Sequence, residues 1–254
     1  MIVDNKDLVR SKLKEFLSDI TNDNVEDRYR FLSYYEGMAH QMEYFPIKSL
    51  EVPLIVQNIT SKLINARAIA YKNTPSRTNE SYLESVSNLD QSMLTAERLT
   101  YLLGSHLIKS RYNEETKKIE YDQIIEFEPL FEPRSREPFG YIYPIYNHGQ
   151  TRDDKVVYAY WSETEHFLVD QNGNIESVNE ENVNPYGVLP FTICHRHPYT
   201  TDFMRNGATD IVNANLMINL LMTELGLAMR LQALGQPVIT GVDQMNQVAL
   251  GVEQ

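Results

Sequence analysis

Four consecutive residues late in the chain, Cys194-His195-Arg196-His197, are of types that can bind a metal ion. Zinc sites usually need four ligands, commonly in pairs separated by two or more residues, and the sequence offers no second Cys/His pair. In a strand, Cys194 and Arg196 would point to one side and the two histidines to the other. The histidines could supply at most half of a site, so the pattern favours a strand end with solvated side chains.

A second group has the residue types of general acid-base catalysis, namely Glu163, Glu165 and His166 beside Trp161. Such catalysis needs carboxylates held at a defined separation with shifted pKa values, whereas a Ser-Glu-Thr-Glu turn between two strands is typical of a solvated loop. The phosphate-binding patterns GxxxxGK[ST] and GxGxxG do not occur. We therefore predict no catalytic, cofactor-binding or metal-binding residue and no enzyme. A metal-dependent hydrolase that uses these groups remains the alternative from a different class.

Composition limits the classes of partner. The chain has 254 residues, a hydrophobic fraction of 42% and a formal net charge of −12. The acidic balance argues against tight nonspecific binding to nucleic acid, which depends on many Lys and Arg contacts to phosphate, and so disfavours a nucleic-acid-binding regulator. The one cysteine, Cys194, excludes an internal disulfide. The first 20 residues lack the apolar core of a secretion signal, so we expect the protein to be made in a cytoplasm.

The elements that would position these groups begin with helices. Apolar residues recur at helical spacing in four segments, at residues 5–20, 27–44, 53–70 and 81–110. Asn5 is placed to cap the first of them and Pro53 lies near the start of the third. Gly104 and the Asn88–Asp90 region could each interrupt the fourth.

From about Ile119 the pattern changes to short alternating segments separated by turn residues, which indicates a small antiparallel sheet. The Asp170–Asn174 segment is a strong hairpin signal. The predicted strands are residues 155–161, 166–169, 175–178 and 188–194. Together with the helices they predict an α+β fold.

A long apolar helix is predicted from about Ala208 to Leu234, roughly 40 Å at about 1.5 Å rise per residue. A narrow polar stripe, which we expect to be its wetter side, consists of Asn215, Asn219, Thr223 and Arg230. The candidate packing residues are Ile211, Ile218, Leu221, Leu225, Leu227 and Leu231. The run without charges between Asp210 and Glu224 is too short to cross a bilayer, so we expect no membrane span. Either an ordinary helical core or neighbouring subunits could cover this helix.

A series of short motifs, in order along nearly the whole chain, resembles the portal proteins of tailed bacteriophages. Those proteins form the ring through which the genome enters and leaves the capsid. The motifs are RFLSYYEG at 30–37, IAYKNTP at 69–75, LLG at 102–104, IEY at 119–121, YAYW at 158–161 followed by His166, the Asn172-Gly173 hairpin, NPYGVLPF at 184–191, DIVNAN at 210–215 and GQPVI at 235–239.

The resemblance implies an organisation into wing, stem and clip. Residues 1–118 would be the helical part of the wing, 119–200 its β-rich part, 201–235 the first stem helix and 236–254 the start of the clip. Portal chains normally continue beyond the clip, so either this chain is a fragment or the rest is encoded elsewhere, and we expect that the chain alone cannot build a complete channel. Open rings in electron micrographs would contradict that expectation.

The resemblance also implies partners. A portal is a closed homo-oligomeric ring of about twelve subunits at one capsid vertex, joined by head-to-tail interfaces. It docks the terminase large subunit during packaging and capsid, tail or adaptor proteins afterwards, and double-stranded DNA passes through without sequence-specific binding. The protein would be part of the virion, assembled in the host cytoplasm, with no cofactor and no membrane. Another head-to-tail connector is the closest structural alternative.

Overall fold

The computed structural model describes residues 5–18, 23–38, 55–73, 75–78, 84–146, 156–179, 181–198, 203–204 and 207–233. Backbone contacts divide the chain into two units, and each is described by itself. The first consists of residues 1–39 and 57–215, and the second of residues 40–56 and 216–254.

The described residues of the first unit form four helices, α1 (Asn5–Ser18), α2 (Asp23–Glu36), α3 (Ile59–Arg67) and α4 (Leu89–Leu103). The first two agree with the predicted segments up to Glu36, and residues 39–50 lie outside the described part of the chain. A fifth helix, α5 (Thr209–Ala233), begins in this unit and is the long apolar helix expected from the sequence.

Helix α3 begins later than predicted. The predicted start at Pro53 is outside the described residues, but Ile55–Asn58 is not helical. Asn58 is the N-cap, and its Oδ1 accepts a hydrogen bond from Ser61 N–H at 2.9 Å. A capping side chain satisfies backbone N–H groups that have no partner in the first turn, so the helix starts where the cap is.

Helix α4 ends earlier than predicted. Its last residue is Leu103, and Gly104 follows with φ +78°, a conformation that glycine adopts far more readily than other residues. The Gly104 N–H closes the helix on the Thr100 carbonyl at 3.0 Å. The prediction that this helix reaches Ser110 is wrong, because Ser105 already begins a strand.

Eight antiparallel strands follow in the part of the chain that the structure describes, and the α+β prediction is confirmed. They are β1 (Ser105–Asn113), β2 (Lys118–Ile124), β3 (Glu128–Phe131), β4 (Pro138–Ile145), β5 (Val157–Ser162), β6 (His166–Val169), β7 (Ile175–Ser177) and β8 (Phe191–His195). They form a three-stranded sheet of order β2-β1-β8 and a five-stranded sheet of order β3-β4-β5-β6-β7. The hairpin predicted at Asp170–Asn174 joins β6 and β7.

The five-stranded sheet is covered on both faces. On one face α1 contributes Val9, Leu13 and Phe16 to a cluster with residues such as Tyr160 and Phe167. On the other face, Tyr141, Tyr143, Ala159 and Trp161 pack with residues of the three-stranded sheet, among them Leu107, Phe191 and Ile193. Helix α4 in turn contacts all three strands of that smaller sheet. The order of layers is therefore α1, large sheet, small sheet, helices.

The chain enters α5 through a close approach to the end of α4. The Ala208 N–H donates to the Leu102 carbonyl at 2.8 Å. A Cβ at Gly207 would lie 2.0 Å from the same Leu102 oxygen and 2.7 Å from Leu103 backbone atoms. Only glycine fits at this crossing, because those neighbours are backbone atoms that cannot rotate away.

His106, on β1, is fully buried. Its Nε2 lies 2.9 Å from Gln123 Oε1, which accepts hydrogen bonds only, so Nε2 carries the proton. The Gln123 amide is oriented by a 3.4 Å hydrogen bond from its Nε2 to the Ser92 carbonyl. Burial lowers the pKa of His106 to about 4, because the imidazolium would lose its hydration.

We expect His106 to make the protein less stable in mild acid. Below pH 6.5 the unfolded histidine binds a proton that the folded one rejects until about pH 4, so stability falls as pH decreases through that window. Between pH 7 and pH 5 the loss is about 2 kcal/mol. Urea unfolding followed by fluorescence of Trp161, the only tryptophan, measures it.

The control is the same substitution at an exposed histidine. His106→Gln should remove about 2 kcal/mol of the pH dependence in this window, His166, whose pKa burial also lowers, should account for part of what remains, and His197→Gln controls for the substitution itself. An equal slope in His106→Gln and the parent protein would contradict the assignment.

Candidate functional site

Helix α5 carries a side chain that completes the start of another helix. Asn215 Oδ1 accepts hydrogen bonds from the backbone N–H groups of Ile59 (2.7 Å) and Thr60 (2.8 Å). Its Nδ2 donates to the Gln57 carbonyl at 3.0 Å. With the Asn58 cap on Ser61, two asparagines satisfy the first three N–H groups of α3.

The next two members of the polar stripe lie in the second unit and are also buried. Asn219 is 0% exposed and Thr223 is 1% exposed. Thr223 Oγ1 accepts from the Ile55 N–H at 3.1 Å and donates to the Asn219 carbonyl at 2.9 Å. These side chains face protein, where each polar group must find a partner.

The expectation that the polar stripe is the wetter side of the helix is therefore wrong for Asn215, Asn219 and Thr223. Their amide and hydroxyl groups bond to backbone, which makes burial tolerable and even useful. Arg230 is exposed, as expected for a guanidinium near a helix C-terminus.

The opposite side of α5 is apolar and open to solvent. Six large side chains form a continuous band, here called the apolar stripe, at i, i+1, i+4, i+5, i+8 and i+12. Its members are Met217, Ile218, Leu221, Met222, Leu225 and Met229, which are 40–61% exposed. Soluble proteins rarely leave so many large apolar side chains together in water, so the stripe is a candidate interaction surface.

The predicted packing residues divide between the two sides. Ile211 is buried in the first unit, and Leu227 is half-buried. Ile218, Leu221 and Leu225 belong to the apolar stripe and remain predicted contacts with a partner. The side chain of Leu231 lies outside the described residues.

By length and composition, Thr209–Arg230 of α5 could cross a membrane. Its first two turns, however, are part of the first unit's packing, where Ile211 and Val212 are 7% and 1% exposed. The remainder, from Leu216 to Arg230, is about 22 Å long at about 1.5 Å per residue. That is shorter than the hydrocarbon core of about 30 Å, which favours a protein as the partner of the stripe.

The metal-ligand residue types are dispersed by the fold. Cys194 lies opposite His106 in the β1–β8 ladder, and burial raises the pKa of its thiol. His195 Nδ1 lies 2.8 Å from Ser105 Oγ, and His197 is exposed. Among the described residues no group of three His, Cys, Asp or Glu side chains could hold a metal ion.

The residues considered for acid-base chemistry have structural contacts. His166 Nδ1 lies 2.9 Å from the Tyr160 carbonyl oxygen, which only accepts, so the Nδ1–H donates a hydrogen bond to it. The His166 ring stacks on Trp161 with centroids 3.6 Å apart. Burial lowers the pKa of His166. The Glu165 N–H donates to Ser162 Oγ at 2.9 Å, which forms the turn between β5 and β6. The loop and His166 thus stabilise the β5–β6 hairpin.

Comparison with protein-family models and with curated proteins finds no match for this chain.

Sequence reasoning missed the role of Asn215. Its helical phase placed it correctly on one side with Asn219 and Thr223, but a polar stripe is ordinarily a solvent-facing side. The signal that could have revealed burial is that Asn215, Asn219 and Thr223 are uncharged, whereas Glu224 lies outside the stripe and is exposed, since the side that carries charge usually faces water.

We expect Asn215→Ala to destabilise the protein by about 2–4 kcal/mol, because the Ile59 and Thr60 N–H groups would be buried without an acceptor. Asn213→Ala is the matched control on the same helix, where an exposed side chain makes one 3.4 Å contact with Arg30. It should cost less than about 0.5 kcal/mol. Urea unfolding measures both, and equal losses would show that Asn215 has no special role.

Proposed function

We propose that this protein is a structural subunit of a bacteriophage portal ring, which forms the DNA channel at one capsid vertex. The observation that carries the proposal is the apolar stripe on α5. A single copy of the chain exposes it in the described structure, and neighbouring copies would cover it.

Burial of the apolar stripe would favour assembly. Completing the burial of six half-exposed Leu, Ile and Met side chains contributes on the order of 1 kcal/mol each. In a ring each stem helix has two neighbours, and the apolar stripe of one subunit would pack against a different patch of the next subunit. Head-to-tail contacts that close give rings, whereas self-complementary contacts stop at a dimer.

The charge of the chain suits a conduit. A net charge of −12 provides little attraction for the phosphate backbone, so duplex DNA could slide past without being held. The ordered motifs described above add the remaining support, and they supply the proposed partners: the terminase large subunit, capsid proteins and head-to-tail adaptors.

The test is whether the apolar stripe drives self-association. We expect the parent chain to form species larger than a dimer as its concentration rises, and Leu221→Glu combined with Leu225→Glu to be monomeric, because each buried carboxylate would lose its hydration. Light scattering coupled to gel filtration, with native mass spectrometry, measures the masses.

The control is Leu63→Glu, the same substitution at a leucine that is 44% exposed on α3, which should leave association unchanged. A parent chain that stays monomeric, or one that instead binds lipid vesicles through the stripe, would overturn the proposal.

A further inference from the structure

A second feature, independent of the apolar stripe, lies within the first unit. A cavity of about 800 Å³ opens between β1, β2 and the end of β4. Its size is that of a small-molecule site. The apolar part of its wall includes Ile124, Pro144, Ile145 and the ring of Tyr146.

Lys109 brings a positive charge into this cavity. Its Nζ donates to the Tyr143 hydroxyl at 2.8 Å and lies 4.7 Å from the centre of the Trp161 ring. Among the described residues no carboxylate lies within ion-pair distance of Nζ. Burial lowers the pKa of Lys109 because the ammonium loses part of its hydration, and the Asp122 carboxylate partly offsets that shift.

The two acidic residues of the cavity already have other contacts. Asp122 Oδ2 lies 3.3 Å from Arg111 Nε. Glu126 Oε2 accepts hydrogen bonds from the Tyr29 hydroxyl at 2.8 Å and the Tyr146 hydroxyl at 2.9 Å. The buried guanidinium of Arg28 also interacts electrostatically with Glu126. Lys109 is therefore the charged side chain of the cavity that forms no ion pair within the described residues, and the Asp122 carboxylate acts on it only from beyond ion-pair distance.

The donors at this end of the cavity suit a carboxylate. Because the Tyr143 hydroxyl accepts from Lys109, its own proton is available to donate. The ammonium and the hydroxyl, 2.8 Å apart, could each bond one oxygen of the same carboxylate. A phosphate dianion would need more positive charge than one lysine supplies, whereas a singly charged carboxylate is matched.

We infer that this cavity binds a carboxylate attached to an apolar body, with the carboxylate on Lys109 and Tyr143 and the body against Ile124, Pro144 and Ile145. Two sources have this chemistry: a free aliphatic acid, or an acidic side chain of another copy of this chain with its apolar neighbours. The inference does not depend on the portal proposal, since no residue of α5 takes part.

Octanoate is a suitable probe, with octylammonium as the control of opposite charge. Calorimetry measures binding, and the fluorescence of Trp161, directly beneath the Lys109 ammonium, reports occupancy of the site. We expect octanoate to bind and octylammonium to bind at least tenfold more weakly. Lys109→Met keeps the packing of the side-chain stem and should weaken octanoate binding at least tenfold.

Lys118→Met, at an exposed lysine on the neighbouring strand, should leave octanoate binding unchanged. Tyr143→Phe, which removes only a hydroxyl, should weaken it severalfold and provides a second variant if Lys109→Met does not fold. Equal binding of the two probes, or undiminished octanoate binding in folded Lys109→Met or Tyr143→Phe, would overturn the inference.

The source is distinguished by self-association. If another copy supplies the carboxylate, Lys109→Met should weaken association and octanoate should compete with it. If a free acid is the ligand, association should be the same in Lys109→Met as in the parent chain while octanoate binding is lost. If the Leu221→Glu and Leu225→Glu substitutions had no effect on self-association, the portal proposal would be contradicted, but the octanoate result would stand. The two proposals are therefore tested independently.

Discussion

The structure depends on one buried amide. Asn215 gives its oxygen to the first N–H groups of α3 and its nitrogen to the chain just before that helix. A helix that must aim this side chain inward cannot rotate about its own axis to hide Leu221 and Leu225 instead. The apolar stripe is thus exposed because Asn215 must face the first N–H groups of α3. The free energy lost if those N–H groups had no acceptor determines how strongly the rotation of α5 is fixed.

Local sequence signals predicted the elements well where a single short-range cause decides them. The Asp170–Asn174 turn, the strands around it and the long helix are of this kind. Helix boundaries that depend on one residue were predicted less accurately. Asn58 starts α3 and Gly104 ends α4, but asparagine and glycine are also common in turns and loops, so their presence alone does not mark a helix end. The orientation of α5 could not be predicted from periodicity, because a polar stripe looks the same whether water or backbone is its partner.

Burial determines the charge state of the histidine, cysteine and lysine side chains considered above. His106, His166 and Cys194 are all held in their uncharged forms by loss of hydration. Lys109 differs because it faces a solvent-accessible cavity and retains two N–H groups beyond its bond to Tyr143. The difference between His106 and Lys109 could not be predicted from their spacing along the chain. Both belong to β1, but they lie on opposite faces of that strand and therefore in different surroundings.

Gly207 has a consequence for evolution. The backbone crossing at Leu102 and Leu103 excludes every side chain, and the crossing is what delivers Asn215 to α3 eight residues later. The two positions should therefore change together or not at all during descent. A glycine and an asparagine eight positions apart, at the start of an otherwise apolar helix, form a sequence signature. Distant homologues could be recognised by it where overall sequence identity is low.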